Sequence, residues 1–156
     1  MECVIPIDIL RRAGAEVTVA GLTGTNPVTC SRQVVIVPDK ALSDVKEHKF
    51  DVVILPGGMK GANSLAAVRL STSFHSDEVG AILRAQHETG RFVAAICAAP
   101  IALKRYKYSE DRVVTTGHVV TSRGPGTAFE FALKLVELLF GAEKVKEVSA
   151  PMVVKD

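Results

Sequence analysis

The stretch Arg91-Phe92-Val93-Ala94-Ala95-Ile96-Cys97-Ala98-Ala99-Pro100 decides the reading of this chain. Phe92, Val93 and Ile96 belong to an apolar run with β-branched members, the pattern of a parallel strand buried on both faces. The run stops at Cys97, and Ala98-Ala99-Pro100 reads as the opening turn of a helix. A cysteine at such a turn meets unpaired backbone N–H groups and the positive end of a helix dipole, and both favour a thiolate. Ala95 and Ala99 lie two residues either side of it, the small-x-nucleophile-x-small spacing of a nucleophile elbow. Free cysteine is also among the most buried residue types, and a small core residue without chemistry fits the same position. Spacing alone leaves both readings open.

Working outward, Asp51-Val52-Val53-Ile54-Leu55 reads as a second buried strand, ended by Pro56-Gly57-Gly58. Two glycines after a buried strand let the backbone approach a ligand or adopt positive φ. In an open α/β sheet that position is the carboxyl edge, where ligands bind. Pro-Gly-Gly in isolation is only a turn, but Cys97 would end the next strand on the same edge. Toward the N-terminus, Val4 to Arg12 predicts a helix, with Pro6 tolerated in its first turns and Gly14 beyond its end. Val17 to Ala20 and Val34 to Val37 read as strands, separated by the turn-rich Gly21 to Pro27. Asp39 is the expected N-cap of a short helix from Ala41 to Glu47.

Toward the C-terminus, Ser76 is expected to cap a helix that Gly90 closes. Arg112 to Val114 and His118 to Thr121 read as short strands. Thr127 and Glu130 match a capping box opening a long helix from Ala128 to Phe140, whose Phe131, Leu135, Leu138 and Leu139 would pack on the sheet. Gly141 ends it, and Ala150 to Val154 reads as an edge strand. Strands alternating with helices predict an α/β domain with a mostly parallel sheet, a single unit over residues 1–156.

Composition narrows the function. At 156 residues the chain suits one apolar core, and 47% hydrophobic with 23% charged residues is ordinary for a globular protein. A net charge of +2 with scattered Lys and Arg argues against a sequence-specific nucleic-acid surface. No apolar run approaches the ~18 residues of a membrane span. Glu2 directly after Met1 argues against a signal peptide. Cys3, Cys30 and Cys97 share no metal-ligand spacing, and their odd number argues against a disulfide framework. A reducing, cytoplasmic setting fits these features.

The segments V-I-P-I-D-I-L-R-R-A-G, V-T-V-A-G-L, C-S-R, V-V-I-L-P-G-G, A-A-I-C-A-A-P and T-S-R-G-P-G-T-A-F-E-F-A-L closely resemble the DJ-one/PfpI superfamily, above all its animal deglycase branch. Joint occurrence in the family's order makes the resemblance specific, although no single segment would. It implies a flavodoxin-like three-layer α/β sandwich, usually a homodimer, with Cys97 as the reactive cysteine. Glu2 matches the family's glutamate, which is protonated and donates a hydrogen bond to the thiolate; such a bond favours the charged sulfur. Gly57, Gly58 and Ala98 match the backbone donors of an oxyanion and substrate site. Arg32, and Arg12 reaching across the dimer, match basic pocket residues, although as bare charges they read equally as a loop cation and a solvated helix end. Cys30 matches a second redox cysteine near the dimer interface, or else is an ordinary loop thiol. Cys3 has no family counterpart and is given no role. The implied activities need no cofactor and no metal: repair of methylglyoxal and glyoxal adducts on proteins or nucleotides, and glyoxalase conversion of the free dicarbonyls. A low-pKa Cys97 would also be readily oxidised, a stress-sensing chemistry. Family members are expected in the cytoplasm, with the nucleus and mitochondria as further places.

The chain departs from the family in blocks. The family has a central strand before its glutamate, and here the sequence starts at Met1-Glu2. Roughly two dozen family residues, including a histidine facing the nucleophile, are missing after Leu103, far beyond ordinary loop variation. His118 is not that histidine; it reads as a partly exposed strand residue. Ala66 to Phe74 reads as an insertion. Intact motifs between such blocks point to an alternative transcript or incomplete gene model. The expected sheet is therefore incomplete, with exposed ladder edges that Val153-Val154 would be free to cover. The alternative function is a weakly active or inactive form serving as a redox-sensitive chaperone or interaction protein.

Overall fold

The computed structural model describes residues 1–58, 75–99 and 109–154. In chain order the elements are α1 (Val4–Arg12), β1 (Ala20–Gly21), β2 (Val28–Thr29), β3 (Val35–Ile36), β4 (Lys40–Ala41), α2 (Leu42–Val45) and β5 (Val52–Leu55). They continue with α3 (His75–Glu88), β6 (Phe92–Ile96), β7 (Val113–Thr116), β8 (Val119–Ser122), α4 (Ala128–Phe140) and α5 (Ala142–Ser149). The main sheet has the order β5-β6-β8-β7, parallel except for the β7–β8 hairpin. β1 and β4 form a separate parallel pair, and β2 and β3 an antiparallel pair.

Alternation along the buried strands builds the layers. Val52 and Ile54 of β5 and Ala94 and Ile96 of β6 face one core, with Ile9 and Leu10 of α1 and Phe131, Leu135 and Val136 of α4. Val53, Leu55 and Ala95 face the other way, against Val79 and Leu83 of α3 and Leu22 and Leu42. Helices thus cover both faces, the three-layer α/β sandwich expected. Leu22 and Leu42 also tie the β1–β4 pair to the main sheet through side chains. Among the described residues β5 pairs only with β6.

α1 and α4 have the predicted bounds. α1 ends in a Schellman arrangement: Gly14 (φ 92°) donates to Arg11 O at 3.0 Å and Ala15 to Leu10 O at 3.0 Å. Other expectations are corrected. The Val17 strand is confined to Ala20–Gly21, and only Val35–Ile36 of the second run pairs. The short helix covers Leu42–Val45, and Asp39 does not cap it. The Asp39 carboxylate instead accepts from Val19 N at 2.8 Å and from Arg11 at 3.2 Å. Residue 75 already lies in α3, so Ser76 sits inside that helix. Thr127 makes no capping box with Glu130; its hydroxyl turns to Gly124 and Ser122, while Glu130 accepts from Arg112 Nε at 2.8 Å. His118 lies in the turn between β7 and β8, its ring 5.4 Å from that of Phe92. The tail is α5 and a 3₁₀ turn over Ala150–Met152, so it supplies no edge strand. The proposed insertion and the junction after Leu103 lie outside the described residues.

Candidate active site

Cys97 follows the last residue of β6 and takes φ 62°, a left-handed conformation that a cysteine holds only when its surroundings impose it. The backbone therefore makes a tight turn at Cys97, directly after the strand. Its N–H donates to Ser122 O at 2.9 Å, continuing the β6–β8 ladder by one bond. Ala95 and Ala99 are fully buried on either side, as the tight turn requires. Cys97 itself is exposed.

Glu2 lies against it. A methyl group placed on Gly57 would stand 2.7 Å from Cys97 Cβ and 2.9 Å from Glu2 Cδ, and closer still to Glu2 Oε2. Glycine at 57 is therefore a steric condition of bringing the two groups together. Glu2 Oε1 is buried without a hydrogen-bond partner among the described residues. Glu2 is thus held beside Cys97, as the resemblance implies. The cause is local: α1 starts two residues later, with Ile5 N bonded to Met1 O at 2.9 Å and Ile7 N to Cys3 O at 3.3 Å.

Partial burial of the sulfur pushes the Cys97 thiol up from its ordinary value, and Glu2 adds to this as a hydrogen-bond partner and as a charge. Backbone N–H groups of Gly58 and Ala98 point at the sulfur and pull the other way. The upward direction is opposite to the thiolate-favouring elbow read from sequence, with burial its first cause and the Glu2 contact its second. A carboxylate repels a thiolate, whereas a protonated Glu2 would donate to it and reverse that part of the shift. The two N–H groups are also placed to receive an oxyanion formed on a carbon bonded to sulfur.

Five of the predicted site residues, Cys97, Glu2, Gly57, Gly58 and Ala98, are thus gathered at one sheet edge. The arginines are not part of the cluster. Arg12 closes the far end of α1, about 15 Å from Glu2 at 1.5 Å per residue, and its Nε donates to Asp8 at 3.1 Å. Arg32 is exposed at φ 59° in the 3₁₀ turn after Cys30. Cys30 is exposed, its thiol 3.7 Å from Val28 O. Burial pushes the Cys3 thiol up, and the nearby Cys30 sulfur adds to it. Ser122 was missed by sequence reasoning, because its contribution is a main-chain carbonyl; the only signal was a polar residue closing a strand at the Cys97 edge. Among the described residues no cluster of His, Cys, Asp and Glu could hold a metal ion.

The profile of the DJ-1/PfpI family matches residues 1–107 and 103–138. The chain belongs to the DJ-1/PfpI family. The DJ-1/PfpI match breaks and resumes at 103–107, where the sequence reading places the lost residues. Parkinson disease protein 7 homolog of Danio rerio is 46% identical, with 100% of this chain and 92% of that protein aligned. That alignment covers 181 positions against 156 residues here, so the relative has residues at 25 positions where this chain has none. Glutathione-independent glyoxalase DJR-1.2 of Caenorhabditis elegans is 38% identical, over 97% of this chain and 88% of its own length. The crystal structure of Drosophila melanogaster DJ-1beta superposes with a TM-score of 0.88 at 44% identity, covering 99% of this chain and 91% of that one. The flavodoxin-like fold described above is thus shared with that DJ-1/PfpI structure.

Proposed function

We propose that the protein is a cysteine-dependent, cofactor-free glyoxalase or deglycase acting on methylglyoxal, glyoxal and their early adducts on proteins or nucleotides. The observation that carries this reading is the convergence of Glu2 and the Gly58 and Ala98 N–H groups on the Cys97 elbow. Its kinship to a named glutathione-independent glyoxalase supports the same chemistry. The Cys97 thiolate adds to the aldehyde carbon, and the two N–H groups hold the resulting oxyanion of the hemithioacetal. Glu2 takes the proton from the former aldehyde carbon and returns it to the neighbouring carbon, leaving a thioester. Water hydrolyses the thioester to the hydroxy acid and frees the thiolate. For an adduct, whose carbinol carbon is saturated, the thiolate displaces the amine or thiol, which leaves protonated by Glu2, and the same enzyme-bound hemithioacetal results. The free thiols suit a reducing compartment such as the cytoplasm. Homodimerisation is part of the proposal, since Arg12 is remote from its own Cys97.

The test is the pH dependence of Cys97 alkylation beside methylglyoxal consumption, in wild type, Glu2→Ala and Cys97→Ser. Cys97→Ser should abolish turnover, and Glu2→Ala should slow it by about a hundredfold or more. If Glu2 presents its proton to sulfur, Glu2→Ala moves the alkylation midpoint upward. A downward move would mean that Glu2 stands beside the sulfur as a charge and does not donate to it, leaving only its proton-transfer role, which the turnover of Glu2→Ala tests.

A second reading is an interaction protein with little activity. The exposed Val34, Val35 and Val37 favour it, being a surface a partner could cover. Absence of turnover from a folded wild-type protein would support this reading over the first.

A further inference from the structure

We propose that Ser122 and Thr127, a buried hydroxyl pair at the end of β8, are positioning residues that hold the Cys97 backbone in its elbow conformation. This deepens the reading of Cys97 as the reactive thiol and rests on it. The left-handed φ of Cys97 is disfavoured for any residue with a side chain, so something must impose it. The contact that does so is the bond from Cys97 N to Ser122 O. The strength of that restraint depends on how firmly Ser122 is itself held.

Ser122 and Thr127 are only 6% and 5% exposed, and their hydroxyl oxygens lie 2.6 Å apart. Two hydroxyl protons face three acceptors. Ser122 Oγ reaches Arg112 O at 2.8 Å, and Thr127 Oγ1 reaches both Ser122 Oγ and Gly124 O, the latter at 2.9 Å. Gly124 O also receives Thr127 N–H at 2.9 Å. The hydroxyls form one connected chain in either of two directions, Thr127 O–H to Ser122 Oγ with Ser122 O–H to Arg112 O, or Ser122 O–H to Thr127 Oγ1 with Thr127 O–H to Gly124 O, and in both Gly124 N–H donates to Thr127 Oγ1 at 3.2 Å. Aligned donors of this kind strengthen one another in a buried setting. The chain ties the end of β8 to the start of β7 on one side and to the turn before α4 on the other. Ser122 O, the acceptor for Cys97, belongs to the residue clamped between them. Apolar residues would fill the same space, but they would leave Gly124 N–H and Arg112 O with fewer partners and Ser122 O free to drift.

The consequence reaches the sulfur. If Cys97 relaxes toward an ordinary conformation, its Sγ swings away from the Gly58 and Ala98 N–H groups that favour the thiolate. Glu2 is the titratable group that faces Cys97 among the described residues, and its contact would loosen as well.

The experiment measures iodoacetamide alkylation of the Cys97 peptide by mass spectrometry across pH, so that Cys3 and Cys30 do not interfere. The variants are Ser122→Ala, the near-isosteric Thr127→Val, the hydroxyl-retaining Thr127→Ser, and Leu135→Ala as a destabilised control in the α1–α4 core. Ser122→Ala and Thr127→Val should shift the midpoint upward by about half a pH unit, slowing alkylation below the midpoint about threefold. Thr127→Ser should restore the wild-type profile, and Leu135→Ala should lower the melting temperature without moving it. If Ser122→Ala fails to fold, Thr127→Val with its Thr127→Ser rescue decides alone. Wild-type profiles in both hydroxyl deletions, or an equal shift in Leu135→Ala, would overturn the proposal. Methylglyoxal turnover by wild type is read separately: its absence defeats the glyoxalase reading while the alkylation comparison still stands or falls by itself.

Discussion

Gly57 illustrates how one absent side chain shapes the site. Glu2 Oε2, Glu2 Cδ and Cys97 Cβ all crowd the point that a β-carbon would occupy. Gly57→Ala should therefore force Glu2 and Cys97 apart, and overpacking of this kind costs about 1–3 kcal/mol. Thermal unfolding would register the loss, and Cys97 alkylation should come to resemble that of Glu2→Ala. Cys97 and the glycine pair were legible in the sequence because each ends an apolar run. The importance of Glu2 came only from family resemblance, since no spacing links residue 2 to residue 97. The approach is made by the fold, when α1 packs and delivers the chain start to the sheet edge. Ser122 was less visible still, because any residue type supplies a carbonyl.

Among the elements, α4 is the clearest case of sequence dictating structure. Its apolar stripe predicted both its bounds and its packing, and Phe131 is now wholly buried among α1, β6 and β8 residues. Phe131→Ala should destabilise the protein by about 3–5 kcal/mol, measurable by chemical denaturation, and leave Cys97 chemistry unchanged wherever the protein remains folded. Helix ends were read less well, for one physical reason. Asp39 and Thr127 have capping chemistry, but tertiary partners outbid the local ones: Arg11 and Val19 for the first, Ser122 and Gly124 for the second. The tail misled through its β-branched Val153 and Val154. Upstream of them, Glu143–Lys146 and Lys144–Glu147 pairs three residues apart, at 2.9 and 2.7 Å, favour α5. Short strands such as Ala20–Gly21 carry too few residues for periodicity to place.

On the scale of the whole molecule, the described strands form three separate sheets, and side chains of Leu22 and Leu42 join the β1–β4 pair to the main one. Val34, Val35 and Val37 stand 52%, 57% and 62% exposed beside the β2–β3 pair. An apolar run this open is where self-association should show. Val35→Lys should lower the dimer fraction in sedimentation velocity while leaving the monomer fold intact; an unchanged dimer would move the interface elsewhere. The three-layer architecture was legible from alternating strands and helices. The separation of the short pairs from the main sheet was not legible, because two-residue strands carry no periodicity. One feature of the elbow has a consequence for selectivity. Among the described residues, Cys97 stands at the surface, with no wall that would sort molecules according to size. On the proposed chemistry, discrimination would come from the bond-forming event, through the electrophilicity of the carbonyl and its fit to two amide hydrogens. A damaged lysine or arginine on a large folded protein would meet the sulfur on much the same terms as a three-carbon aldehyde.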